Sequence, residues 1–132
     1  MRLTHSVRIL LCGLLAGCAA DPATLPDWRL AGTWRNAEGV SISFEDTGVM
    51  VVERPGPRMK PILGDWSMIG GVASLRYRPE ARLCVDDVGT YRIDLSGDRF
   101  MATVVNETCD ARRKSFEGEW KRTAAGRVTN DR

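Results

Sequence analysis

Val40-Ser41-Ile42-Ser43-Phe44-Glu45 sets three apolar residues alternately against three polar ones. Successive side chains of a strand point to opposite faces, so Val40, Ile42 and Phe44 share one face and Ser41, Ser43 and Glu45 the other. The pattern continues along the chain. Ala73, Leu75 and Tyr77 oppose Ser74, Arg76 and Arg78, and Tyr91, Ile93 and Leu95 oppose Arg92, Asp94 and Ser96. Phe116 and Trp120 oppose Glu117, Glu119 and Lys121. Runs of this kind, bounded by Gly, Pro, Asp and Ser, predict strands over about 31–36, 40–45, 48–54, 62–69, 72–78, 88–95, 98–106 and 114–122. No stretch carries a convincing helical repeat. Eight half-apolar strands with no helix to cover them must bury that face against themselves, by closing into a barrel or folding over as a sandwich.

A Gly-x-aromatic motif recurs within these strands, as Gly32-Thr33-Trp34, Gly64-Asp65-Trp66, Gly89-Thr90-Tyr91 and Gly118-Glu119-Trp120. The two named residues share a face, so each copy delivers an inward aromatic preceded by an inward position with no side chain. Glycine there lets a strand bend and leaves room for a bulky neighbour. The motif is therefore expected to be architectural, with Trp34, Trp66, Tyr91 and Trp120 in the core.

On these residues the chain resembles the lipocalin-like, or calycin, barrels. Those proteins carry Gly-x-Trp in the first strand, matched by Gly32 and Trp34, and a basic residue at the end of the last strand, matched by Arg122. The resemblance implies an all-β fold, a single eight-stranded antiparallel up-and-down barrel over residues 30–122, with Arg122 packed across Trp34. It also implies that the alternate long loops surround a ligand mouth. Here the tight turns near Asp46-Thr47-Gly48, Gly70-Gly71 and Ser96-Gly97-Asp98 share one end. The longer connections at 36–39, 55–61, 79–87 and 107–113 share the other.

Residues 1–17 set Arg2 ahead of, and Arg8 at the start of, an apolar run from Val7 to Leu15, too short for a membrane span and patterned as a secretory signal. Its end, Leu14-Leu15-Ala16-Gly17-Cys18, resembles the lipobox of bacterial lipoproteins. That resemblance implies cleavage before Cys18 and acylation of its sulfur and amino group. Ala19, rather than Asp, follows the cysteine, and the expected location is the periplasm-facing outer membrane. Residues 18–29 then read as a lipidated tether and 123–132 as a loose, disordered tail.

Composition narrows the function. Removing residues 1–17 takes two of the 19 basic residues and none of the 17 acidic ones, leaving a balanced charge that argues against nucleic-acid binding. The one histidine, His5, lies in the signal, so the mature chain lacks the usual general base and the commonest metal ligand. Of the four cysteines, Cys12 leaves with the signal and Cys18 is acylated, which leaves Cys84 and Cys109 to pair in an oxidising compartment. Both fall in long loops of the same end. No nucleophile elbow, phosphate loop or calcium loop is present.

The expectation is a non-catalytic, lipid-anchored protein with no cofactor and no metal. It would bind a small amphipathic ligand or an envelope partner at its long-loop end. Arg58, Arg82, Asp110, Arg112 and Arg113 are the candidate contacts there, since loops on a rigid scaffold commonly carry function. The alternatives are an exported hydrolase inhibitor and a structural accessory of an outer-membrane complex.

Overall fold

The computed structural model describes residues 26–123. The signal, Cys18, the start of the tether and the tail beyond Thr123 lie outside the described residues. Eight strands run β1 (Gly32–Asn36), β2 (Ser41–Phe44), β3 (Val49–Glu53), β4 (Ile62–Ile69), β5 (Val72–Tyr77), β6 (Val88–Ser96), β7 (Arg99–Asn106) and β8 (Gly118–Arg122), with a helix α1 (Asp110–Phe116) between the last two. Each strand pairs antiparallel with its sequence neighbour, and β8 closes on β1 through Trp34 opposite Arg122 and Asn36 opposite Trp120. This is a closed up-and-down barrel. The alternation of apolar residues dictates it directly: β4 reads buried and exposed by turns along its whole length.

The interior is filled by its own side chains. Trp34, Met50, Tyr91, Phe100 and Trp120 are all essentially shielded from solvent. Phe100 lies edge-on to Trp34, with ring centroids 4.8 Å apart, and stacks on Trp120 at 5.9 Å. Tyr91 meets Phe116 at 4.6 Å, and Phe44 meets Trp66 at 5.0 Å. A buried indole N–H needs an acceptor. Each tryptophan in the core finds one at 2.8 Å: Trp34 donates to the Leu30 carbonyl, Trp66 to that of Glu45 and Trp120 to that of Phe116.

Two of those bonds reveal a shared device. Leu30-x-Gly32-x-Trp34 and Phe116-x-Gly118-x-Trp120 both begin with a buried apolar residue, pass a glycine at φ +127° or +120°, and return the indole N–H four residues back. Because β1 and β8 are antiparallel, the copies face opposite ways. Leu30 plugs the short-turn end and Phe116 the long-loop end.

The Gly-x-aromatic residues are in the core, as expected, and the glycines make room for particular neighbours. A Cβ on Gly32 would strike the Arg122 guanidinium, and one on Gly64 would lie 3.2 Å from Met50 Cγ. One on Gly89 would lie 2.8 Å from Glu107 Cδ and 2.9 Å from Arg112 Nε.

The main departure from the sequence reading is α1. The alternation predicts a loop over 107–113 and a strand over 114–122, yet Asp110–Phe116 is helical and β8 begins only at Gly118. Seven residues give the helix two turns, too few for a repeat to declare itself. Its start is capped by an uncommon group, the Cys109 sulfur accepting from the Arg112 amide at 3.3 Å. Phe116 is buried as expected, but as the last helical residue rather than as part of a strand. The tether also differs at its end. Pro26 bridges to Ile69, and the Asp27 amide donates to the Met68 carbonyl at 2.8 Å, so the chain joins the barrel wall before β1 begins.

Candidate functional site

The long-loop end is built on a buried polar cluster. Arg112 Nε and Nη2 donate to the two carboxylate oxygens of Glu107, each at 2.7 Å, and both side chains are wholly shielded from solvent. The Tyr91 hydroxyl and the Cys109 amide, the latter at 2.9 Å, donate to the same carboxylate. The guanidinium carbon lies 5.1 Å over the Tyr77 ring, and its remaining nitrogen, Nη1, has no hydrogen-bond partner among the described residues.

A bulge brings Glu107 inward. Thr90 pairs with Asn106 but Tyr91 with Val104, so Val105 is the extra residue and the alternation of β7 is reset beyond it. Without the reset, Glu107 would face outward along with Thr103 and Val105.

The electrostatics follow from burial and pairing. Burial by itself would raise the Glu107 carboxyl, but the hydrogen bonds from Arg112, Tyr91 and the Cys109 amide outweigh it and leave the group below its ordinary value. Burial would lower the Arg112 guanidinium, and the Glu107 carboxylate more than restores it. Burial drives the Tyr91 hydroxyl well above its ordinary range, reinforced by its bond to Glu107. Tyr77 is pushed up to about 12, chiefly by burial. At neutral pH the cluster is therefore one carboxylate, one guanidinium and two neutral phenols.

The Cys84–Cys109 disulfide is present, with Cα atoms 5.7 Å apart. It ties the 78–87 connection to the start of α1. That connection turns through Arg82 and Cys84, both at positive φ, the former closing a short 3₁₀ turn, Pro79–Ala81.

The sequence-predicted contacts separate into two groups. Arg58, Arg82, Asp110 and Arg113 all stand exposed around this rim, and Arg113 pairs with Asp110 at 2.8 Å one helical turn on. Arg112, expected beside them, is instead fully buried beneath the rim. It supports the site and does not line it. Glu107 is its ion-pair partner, and Tyr91 donates to that same carboxylate. The spacing of Phe116 four residues before Trp120, matching Leu30 before Trp34, was the signal that the segment ahead of β8 folds inward.

Between the β1–β2 turn and the 54–61 connection lies an open groove of about 380 Å³, flanked by Arg35, Ser41, Glu53, Arg54 and Pro55. Beside it Pro55 to Pro61 is exposed throughout and includes Arg58, Met59 and Lys60. Three prolines in this stretch restrict its backbone.

At the opposite end Arg122 lies 4.2 Å over the Trp34 ring, and its Nη1 donates to the Ala31 carbonyl at 2.8 Å. The arginine closes the short-turn end over the plug formed by Leu30. Comparison with family models, with curated proteins and with solved structures finds no match to this chain.

Proposed function

We propose that this chain is a lipocalin-like lipoprotein of the bacterial envelope that binds an envelope protein through its long-loop rim and carries out no chemistry itself. The observation that carries this reading is the filled interior. With Phe116 and the Glu107–Arg112 pair packed over the aromatic core, the barrel offers its surface rather than a cavity, which favours a protein partner over a small amphipathic ligand.

The rim suits that task. Two of its connections, 78–87 and 107–110, are held from below by the disulfide and the buried ion pair, so little entropy remains to be lost there on binding. The stretch from Pro55 to Pro61 presents an apolar Met59 between Arg58 and Lys60, a combination suited to an apolar pocket with an acidic border. The same projecting stretch also favours a second reading, in which the partner is an exported hydrolase whose active-site cleft it occupies.

Photo-crosslinking residues placed at Arg58, Arg82 and Arg113, with Ser67 on the barrel wall as control, test the proposal in native envelopes. The expected result is one protein band shared by the rim positions and absent from Ser67. Equal labelling at all four, or none at the rim, would overturn it. Adding the purified protein to the captured partner then distinguishes inhibition from plain association.

A further inference from the structure

Two large apolar side chains at the short-turn end have no role in the core. Trp28 is 49 % exposed and Ile69 is 47 % exposed. Both are fixed to the same end of β4: Pro26 bridges to Ile69, Asp27 bonds to Met68, and the Trp28 ring stands edge-on to Trp66 at 5.6 Å. The patch is therefore a fixed part of the barrel end. Its flanking charges are already neutralised, because Arg29 Nη2 pairs with Asp27 at 2.6 Å. The turn beside it is Gly70-Gly71, which adds no side chain.

We infer that this patch docks on the lipid bilayer, with Trp28 and Ile69 in the headgroup layer. The inference rests on the lipoprotein reading, which attaches acyl chains to Cys18. Pro26 is eight residues further on, and a chain of that length spans at most about 28 Å when fully extended. The patch is thus kept within reach of the membrane. Indole is suited to that layer, having an apolar body with a polar N–H that settles at the boundary of hydrocarbon and water.

Of the other two turns of this end, one holds Asp98 4.0 Å from Arg122, and the other carries the exposed acids Glu45 and Asp46. They disfavour contact with an anionic surface. The barrel therefore leans onto its β4–β5 side instead of standing upright, and docks better on zwitterionic than on anionic lipid.

Trp28 is its own probe, since Trp34, Trp66 and Trp120 are buried. The full acylated protein is placed in phosphatidylcholine vesicles containing lipids brominated near the headgroup end of the acyl chains. The Trp28 signal is obtained by difference from Trp28→Phe. Bromolipid is expected to quench it about twofold, and acrylamide to quench it about twofold less than in soluble Cys18→Ser protein. Ile69→Asp should abolish both effects while the protein still floats with the vesicles.

If mass measurement finds no acyl chains on Cys18, the lipoprotein reading fails and this inference with it. If the protein is acylated and floats, yet Trp28 is as open to acrylamide as in solution, only the docking fails. Trp28 protected from acrylamide but untouched by bromolipid would mean that a protein or a second copy covers the patch, and would overturn it equally.

Discussion

Gly89 is the residue on which the rim cluster depends most directly. A side chain there would occupy the space of the Glu107 carboxylate and the Arg112 Nε, neither of which can swing into solvent. Gly89→Ala should lower stability by about 1–3 kcal/mol, read from the urea midpoint. Glu107→Gln leaves the Arg112 charge buried and unpaired, and should cost about 3–5 kcal/mol. Adding Arg112→Met should recover part of that loss, because the orphaned charge is then removed. The pH dependence has a definite sign. The folded-state pKa of Glu107 lies below its ordinary 4.5, so its contribution is fully present above that value and is lost as pH falls through the lowered one. Acid titration of unfolding free energy should show this loss in the wild type, and Glu107→Gln should lack that component.

At the scale of elements, α1 closes the long-loop end, and two attachments hold it there. Phe116 inserts among Phe44, Tyr91, Phe100 and Trp120, and the disulfide fixes its first turn to the 78–87 connection. Phe116→Ala should cost about 3–5 kcal/mol through the cavity it leaves. Reducing Cys84–Cys109, which are 25 residues apart, should cost about 3–4 kcal/mol in the chain-entropy model. Hydrogen exchange separates the two effects. Reduction should raise exchange in α1 and in residues 78–87 while β2 and β3 stay protected; uniform exchange throughout would show that the barrel does not fold independently of its plug.

For the whole molecule, the two closed ends have different surfaces, one a charged rim on restrained loops and the other a small apolar patch among short turns. If the acyl anchor lies where the sequence puts it, the rim faces away from the bilayer. Spin labels at Arg58 and Arg113, in a background with Cys84 and Cys109 replaced, should be more accessible to water-soluble relaxation agents than labels at Gly70 and Ile69 in vesicles. The reverse order would turn the rim toward the lipid. Arg113 serves here because its neighbour Arg112 lies buried.

Strand positions and inward faces were legible from sequence because period-two alternation is local, and the burial of Val40, Ile42 and Phe44 follows from it. The tight turns were legible for the same reason, since a short turn depends on its own residues. The Arg122 contact with Trp34 was reached through resemblance. What tertiary structure alone decided is the long-loop end. A single extra residue, Val105, turned Glu107 inward, and no local pattern announces a bulge. Helix α1 is too short to show a period, and it forms where the disulfide, the Cys109 cap and the burial of Phe116 outweigh the strand pattern that reaches only its last three residues, 114–116. Arg112 reads as a surface charge in any sequence window. It is buried because a carboxylate carried just past β7 and the Tyr77 ring of β5 meet it there, and only the closed barrel sets those three groups together.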